Sequence, residues 1–332
     1  MKKTLVALAV LAAAGSVQAI ELYNQDQVTV NFTGDVEVRY KKGVEDGSEF
    51  KQEINDADFG FDTRYAVNDD LQVGAFWEFA GGNVKEKVAV GDVYMGLYSN
   101  TFGSIKFGKL ATQIDDAGIG SDHVFGIRSF IQDAELSFDE SVRYDLDKGA
   151  FYGGLGFVQF KGAAAELQDA TIFDAKVGAR FADFDLTAYY GMYDTGSDAL
   201  ANAKANLWAA EARYAGIENL NLELGYYAST DSKDNADDVS NNTIAFAADY
   251  TLQAWKFAAG VSSSKYDEKF GPDMDKDTVV GWFVNAGYAL APSTTAYVEV
   301  GGDDGYSNLG TEANPDIKQN GTGVGIGLKA EF

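Results

Sequence analysis

The chain of 332 residues carries 26 Lys and Arg against 51 Asp and Glu, a formal net charge of −25. Such an acidic chain argues against nucleic-acid binding, which requires clustered Lys and Arg. Cysteine is absent and histidine occurs once, as His123. This excludes disulfide frameworks, cysteine-based metal sites and catalytic sites built on several histidines, and we predict neither a cofactor nor a bound metal ion.

The first predicted element is a secretory signal over residues 1–19. Two lysines open it, an apolar run covers residues 5–14, and the triplet at residues 17–19 resembles a cleavage site. The apolar run is too short to cross a bilayer as a helix. We therefore expect cleavage after Ala19 and a β-barrel over residues 20–332; the alternative is a buried amino-terminal helix.

Beyond the signal, sixteen segments alternate apolar and polar side chains. In the first, Val28 and Val30 share one parity, while Thr29 and Asn31 share the other. Alternate side chains of a strand point to opposite faces, so each segment is predicted as a strand with one apolar face. The segments lie near 28–40, 56–65, 71–79, 93–97, 105–107, 142–146, 151–160, 173–181, 184–192, 208–214, 220–226, 244–250, 255–261, 280–288, 296–300 and 323–332.

The connections between the segments alternate between short turns and long polar loops. This sorting is typical of outer-membrane β-barrels, which have short periplasmic turns and long extracellular loops. Aromatic residues, Tyr98 among them, gather near segment ends, where girdles at the membrane interfaces are expected. The predicted fold class is all-β, a 16-stranded antiparallel transmembrane β-barrel with an inward-folded third loop.

The third loop, at residues 110–139, is the longest connection and is too apolar to be only a solvated cap. A sixteen-stranded barrel leaves an aqueous channel, and we expect this loop to fold into it and pack on the wall. Folded in this way, it directs Asp115, Asp116 and Asp122 into the pore as an acidic constriction. The alternative is an external flap with exposed acids.

Basic side chains are available on the wall opposite such a loop. Arg39, Arg64, Lys106 and Arg143 all have lumen parity, and facing lipid near the midplane costs a base about 2–4 kcal/mol. Loop acids facing wall bases predict a transverse field that filters solutes by charge. Arg143 ranks first because it lies mid-strand; the alternative for each base is an ion pair with an acid on a neighbouring strand.

Two apparent motifs are discounted. The glycine repeat at residues 321–327 looks like a phosphate-binding loop, but no helix follows it. The acids at residues 231–238 depart from the calcium-loop spacing of EF-hands, so a solvated acidic loop is the preferred interpretation. We expect contact with outer-membrane lipid, including lipopolysaccharide, through divalent cations that bridge such loops to the anionic headgroups.

Three strings in the chain resemble the general diffusion porins of Gram-negative outer membranes. They are F-G-S-I-K-F-G-K at 102–109, S-V-R-Y-D at 141–145 and the closing G-L-K-A-E-F. The amino-terminal M-K-K-T-L-V-A-L-A-V and the loop string D-D-A-G-I-G-S-D are most similar to OmpT/OmpU-like porins of vibrios and relatives. The resemblance implies a pore-lining role for Arg143 and a homotrimer. The pattern P-E-F-G-G of enteric third loops is absent, so the resemblance does not assign the leading acid.

The function predicted is that of a porin that lets small hydrophilic solutes and ions diffuse across the outer membrane. Removing the signal subtracts two lysines, so the net charge of the mature chain is 24 − 51 = −27, which predicts a preference for cations.

Two other functions remain to be weighed. One is a substrate-specific channel, for example for oligosaccharides, which requires an aromatic slide along the lumen. Aromatic residues of lumen parity exist, although they form no evident track in the sequence: Phe76, Tyr94, Tyr189, Tyr227 and Phe283. The other is an outer-membrane protease or phospholipase, which a single histidine in a loop disfavours.

Overall fold

The computed structural model describes residues 19–82, 89–130, 136–270, 276–310 and 314–332. No helix within these ranges is long and apolar enough to cross a membrane. The signal predicted over residues 1–19 falls, apart from Ala19, outside the described residues, and it stays a prediction.

The described residues form nineteen strands and three short 3-10 helices. The helices are Ile114–Asp116, Ala165–Leu167 and Asp198–Leu200. The strands are β1 (Ile20–Gln25), β2 (Val28–Lys42), β3 (Lys51–Ala66), β4 (Leu71–Ala80), β5 (Ala89–Ser99), β6 (Gly103–Ala111), β7 (Ser137–Asp147), β8 (Phe151–Gln159), β9 (Thr171–Phe181), β10 (Phe184–Asp194), β11 (Lys204–Ile217), β12 (Leu220–Ser232), β13 (Val239–Leu252), β14 (Trp255–Phe270), β15 (Lys276–Ala291), β16 (Thr294–Asp303), β17 (Tyr306–Asn308), β18 (Ile317–Gln319) and β19 (Thr322–Glu331).

Sixteen of the described strands close into one antiparallel barrel. Each strand from β2 to β16 pairs with the next, β16 pairs with β19, and β19 returns to β2. Each of the sixteen covers one of the segments that alternation predicted, to within one residue at either end, so the predicted fold class is confirmed. Alternation works here because every barrel strand has one lipid-facing and one lumen-facing side.

The barrel seam combines the two ends of the described chain. β19 pairs with residues 35–42 of β2, and β1 pairs with residues 28–32 on the same edge. Phe332 exchanges two backbone hydrogen bonds with Gly34, of 2.6 and 2.8 Å, between these two stretches. β1 therefore continues the line of β19, a role that no pattern in its six residues predicted.

The outer surface carries large apolar side chains. Trp208 and Ile244 are about half exposed, whereas their smaller neighbours Ala209 and Ala245 are buried. A soluble protein would bury the larger group of such pairs, so this inverted arrangement fits a barrel whose outside faces lipid.

Tyr98 departs from the predicted girdle. Tyr98 points into the lumen, where the guanidinium carbon of Arg64 lies 3.4 Å from its ring centroid. Position near a strand end suggested the girdle, but the alternation with Leu97, which is 42% exposed, already places Tyr98 on the inner face. The girdle prediction was wrong for this residue.

Candidate functional site

The described part of the third loop up to residue 130 lies inside the barrel and follows the inner wall. It leaves β6 at Thr112 and contacts lumen-facing side chains of successive strands. Ile114 contacts Asp174 of β9, Gly118 contacts Glu211 of β11, and His123 contacts Glu299 of β16. We call the lumen face of β10–β16 and β19, along which the loop runs, the covered wall. The lumen face of β3–β9 is the open wall.

Wall carboxylates hold the backbone of this loop. Glu211 accepts the N–H of Gly118 at 2.5 Å, and Glu223 accepts that of Gly120 at 2.6 Å. Glu299, which is fully buried, accepts three consecutive N–H groups, those of residues 123–125, at 2.6, 3.0 and 2.7 Å. Hydrogen bonds to an ionised acceptor are roughly twice as strong as neutral ones, so these acids fix the path of the loop.

Apolar packing reinforces the attachment. Ile114, Ile119 and Ile127 of the loop are 2%, 5% and 8% exposed and pack in one cluster with aromatic residues of the covered wall. Tyr189, Tyr227 and Phe283 belong to this cluster and are themselves 5%, 0% and 1% exposed. Three of the five aromatic residues considered for a sugar slide therefore lie beneath the loop, while Phe76 and Tyr94 stack on each other at 5.3 Å.

The tip of the loop fits against glycines of β19. A Cβ atom at Gly325 would lie 2.6 Å from Cγ2 of Val124, and one at Gly323 would overlap the ring of Phe125. The glycine repeat that resembled a phosphate loop thus lies in β19, where the absence of side chains makes room for the loop tip. The His123 ring stacks on Tyr297 with centroids 4.1 Å apart.

The three predicted loop acids occupy different environments. Asp116 accepts hydrogen bonds from Arg143, at 2.5 Å, and from Lys176. Asp115 is exposed to the channel and has a raised pKa because it is partly desolvated and adjoins Asp116. Asp122 is open to the channel on one side, but desolvation within the barrel and the charge of Glu299 raise the pKa of Asp122 to about 6.

Of the four predicted wall bases, Arg143 is the one that the structure brings to a loop acid. It also donates to Asp145 at 3.0 Å and to the carbonyl oxygen of Thr112 at 2.7 Å. Asp145 and the carbonyl oxygen of Thr112 therefore hold the Arg143 guanidinium beside the point where the third loop leaves β6.

The other three predicted bases lie elsewhere. Arg39 pairs with Glu53 at 2.5 Å and donates to the carbonyl oxygen of His123 at 3.3 Å, which places it at the loop tip. Arg64 forms two 2.7 Å hydrogen bonds with Asp62, and Lys106 lies 3.5 Å from Asp145. Arg39 and Lys106 match the alternative interpretation, an ion pair with an acid on a neighbouring strand. Arg64 does not, because it and Asp62 both lie on β3.

Sequence reasoning did not select three further bases. Lys176 and Arg180 lie on β9, and Lys176 contacts both Asp116 and Asp145, the latter at 3.5 Å. Arg213 of β11 donates to the carbonyl oxygen of Gly118 at 2.6 Å and to Glu211 at 2.8 Å. Lumen parity was the signal that could have found them, since each alternates with lipid-facing residues of its strand.

The open wall borders a cavity of about 520 Å³. Its lining includes side chains of both charges, among them Arg64, Asp145, Lys176 and Arg180. The cavity adjoins the Asp116–Arg143 contact, because Lys176 and Asp145 line the cavity and also contact Asp116 and Arg143.

Residues 4–308 match the family model described as Gram-negative porin. The chain belongs to this family. Porin-like protein H of Photobacterium profundum is 30% identical over 319 residues, which cover 92% of this chain and 95% of that protein. Outer membrane protein U of Vibrio parahaemolyticus is 30% identical over 219 residues, which cover 59% of this chain and 60% of that protein.

Solved structures of porins share the fold. OmpT of Vibrio cholerae, folded in vitro, superposes with a TM-score of 0.76 at 20% identity, covering 95% of this chain and all of OmpT. An anion-selective porin from Comamonas acidovorans gives a TM-score of 0.72 at 15% identity, covering 92% of this chain and all of that porin. The porin described here is therefore a β-barrel of the Gram-negative outer membrane, as its sequence predicted.

Proposed function

We propose that this porin is a passive, cation-preferring channel for small hydrophilic solutes and ions, and not an enzyme. The observation that carries the proposal is the division of the lumen. The third loop occupies the covered wall, while the open wall borders a charged cavity of about 520 Å³. Water and solutes of moderate size can diffuse along the charged open wall without being held in a tight binding site.

Asp116, Arg143 and Lys176 are the residues proposed to line the narrowest zone. Their contacts put an acid of the loop and two bases of the wall at one point, with distances of 2.5 Å for Asp116–Arg143 and 3.5 Å for Lys176–Asp145. Opposite charges fixed so close together produce the local field that discriminates solutes by charge. Asp115 and Asp122 are proposed to add negative charge along the loop.

Cation preference is proposed from the charge balance. The net charge of −27 after removal of the proposed signal attracts cations to the protein. Most wall bases near the cavity are paired with carboxylates, so each pair adds little net positive charge to the lumen. Measured reversal potentials in a salt gradient test this directly, and an anion-directed potential contradicts it.

A homotrimer is proposed as the working assembly. OmpT of Vibrio cholerae has been solved in a trimer form. In this porin, an outward aromatic cluster joins β2–β4 to the chain end: Phe32, Phe59, Phe61, Trp77, Phe79 and Phe332. Exposed apolar surface of this density favours contact with another subunit or with lipid, and outer-membrane lipid, including lipopolysaccharide, is the other proposed partner.

The test is a planar-bilayer recording of the purified protein. Stepwise conductance that closes in three equal levels, with a cation-directed reversal potential, supports an open, trimeric, cation-preferring porin. A correctly folded barrel that gives silent membranes contradicts the channel, and activity on peptide or lipid substrates would then favour an enzyme.

A further inference from the structure

Tyr98 lies flat against the open wall because glycines beneath it lack side chains. A Cβ atom at Gly96 would lie 2.6 Å from Cζ of Tyr98, and one at Gly74 would lie 3.1 Å from its Cε2. Above the ring, the guanidinium carbon of Arg64 sits 3.4 Å from the centroid. The glycine bed, the ring and the guanidinium form three stacked layers.

The same three layers recur on β8 and β9. A Cβ atom at Gly178 would overlap the ring of Tyr152, so this ring also lies on the wall. The guanidinium carbon of Arg180 is 4.1 Å from its centroid. Both stacks line the same cavity, one at each flank of the open wall.

Carboxylates fix the edges of the two guanidinium groups. Asp62 holds Arg64 through two hydrogen bonds of 2.7 Å. Asp147 and Asp185 hold Arg180 at 2.9 and 3.1 Å. Stacking on one face and pairing on one edge remove most of the rotamer freedom of the two arginine side chains. Binding of a solute therefore costs little further side-chain entropy.

The charges around the cavity are balanced and interleaved. Its lining contains three bases and four acids, a formal sum of −1: Arg64, Lys176 and Arg180 with Asp69, Asp70, Asp145 and Asp147. A polyanion would meet the four acids and a polycation the three bases. A solute carrying one charge of each sign can satisfy both at once.

The aromatic rings do not offer sugar-stacking surfaces in this cavity. Tyr98 and Tyr152 are covered by glycine backbone on one face and by a guanidinium on the other. Sugar slides need open aromatic faces, so the chemistry here is ionic and not stacking.

We propose that this cavity is a transient binding subsite for zwitterions, that is, free amino acids and short peptides. The carboxylate of the solute contacts Arg64 or Arg180, and its ammonium group contacts Asp145 or Asp147. The inference rests on the proposed channel function and deepens it by naming a solute class. A volume of about 520 Å³ accommodates a short peptide.

The test compares four probes as blockers of single-channel current in planar bilayers. They are trialanine, its N-acetylated anion, its C-amidated cation, and the neutral sugar maltotriose. We expect trialanine to block with a dissociation constant at least about fivefold lower than that of any other probe, because it alone makes both charged contacts. Equal block by trialanine and either capped peptide overturns the subsite, and stronger block by maltotriose favours a sugar channel.

Three variants locate the effect. The double variant Arg64→Gln, Arg180→Gln should weaken trialanine block about fivefold to tenfold. Arg180→Lys keeps the charge but loses the planar stack, and we expect an intermediate loss. Lys318→Gln removes an exposed base of β18, outside the barrel strands, where Lys318 pairs with Asp316 at 3.4 Å, and should leave the block unchanged.

The outcomes separate the two proposals. Wild-type protein that gives no conductance steps refutes the channel itself. Normal conductance in which the double variant matches Lys318→Gln overturns only the subsite. If the double variant fails to fold, as judged by heat-modifiable migration on gels, the Arg180→Lys variant and the comparison of probes on wild-type protein decide.

Discussion

The covered and open walls both carry carboxylates, but these acids have different partners. On the covered wall, Glu211, Glu223 and Glu299 accept backbone N–H groups of the third loop. On the open wall, Asp62 and Asp145 accept from Arg64 and Arg143. These three glutamates of the covered wall position the loop, whereas these two aspartates of the open wall orient bases.

The charged groups that position the loop are therefore different from those that border the cavity. An acid whose oxygens are filled by loop amides, such as Glu299, is buried and sets where the loop lies. An acid or base that borders the cavity, such as Asp145 or Lys176, belongs to the group that we propose to act on passing solutes. Counting lumen charges from the sequence therefore overestimates the charge that solutes encounter.

The largest effect is expected from Glu299→Gln, which breaks the covered wall at its strongest point. Three charge-assisted hydrogen bonds at the loop tip lose their acceptor charge, each of roughly 1.5–3 kcal/mol. We expect the tip to detach and single-channel recordings to show frequent closures. Glu218→Gln, in the turn after β11, is the matched control. If the variant closes no more often than the control, the result contradicts an anchoring role for Glu299.

A smaller effect is expected from Gly325→Val, which overfills the surface beneath Val124. Overpacking of this kind typically costs about 1–3 kcal/mol, and here the loop tip can relieve it by moving into the channel. Conductance should fall relative to Ile326→Val, a change on the lipid-facing side of the same strand. Equal conductance for the two variants shows that the tip does not rest on this glycine.

On the open wall, Arg143→Gln should change selectivity more than conductance. Its removal leaves Asp116 and Asp145 with less compensating charge, so the narrow zone becomes more negative. The reversal potential in a salt gradient should shift further toward the cation potential, by about twofold in permeability ratio. Lys161→Gln, at an exposed loop position, controls for overall charge. A reversal potential that shifts toward the anion potential contradicts the proposed role of Arg143 in neutralising Asp116 and Asp145.

The smallest effect is the titration of Asp122. Its pKa of about 6 lies above the ordinary 3.8, so the folded porin binds this proton more tightly than the unfolded chain does. Stability from this group therefore increases as pH falls through 6, and the loop loses one negative charge. Cation preference should decrease between about pH 7.5 and about pH 5 in the wild type, and Asp122→Asn should abolish that step. An identical pH profile in the variant assigns the titration to another group.

Alternation predicted the barrel because it reflects a local property. Ile244 and Phe246 face lipid while Ala245 faces the loop, and each choice is visible within three residues. Lumen parity likewise predicted that Arg143 and Arg64 lie inside. The same rule, applied to Lys176 and Arg180, would have completed the set of bases on the open wall.

The path of the third loop could not be predicted in this way. It depends on pairs such as Gly118 with Glu211 and His123 with Glu299, which are 93 and 176 residues apart. Sequence periodicity does not relate a loop amide to a carboxylate on a distant strand. The stacking of Arg64 on Tyr98 was missed for the same reason, because three strands contribute to it.

The wall glutamates bind the main chain of the third loop and not its side chains. Any residue other than proline supplies the same N–H group, so positions 118, 120 and 123–125 retain these bonds when their side chains change. Substitutions that respect the glycine conformations and the fit of the tip can therefore alter the filter while its scaffold stays in place. The architecture leaves the channel lining open to variation, whether by natural divergence or by design.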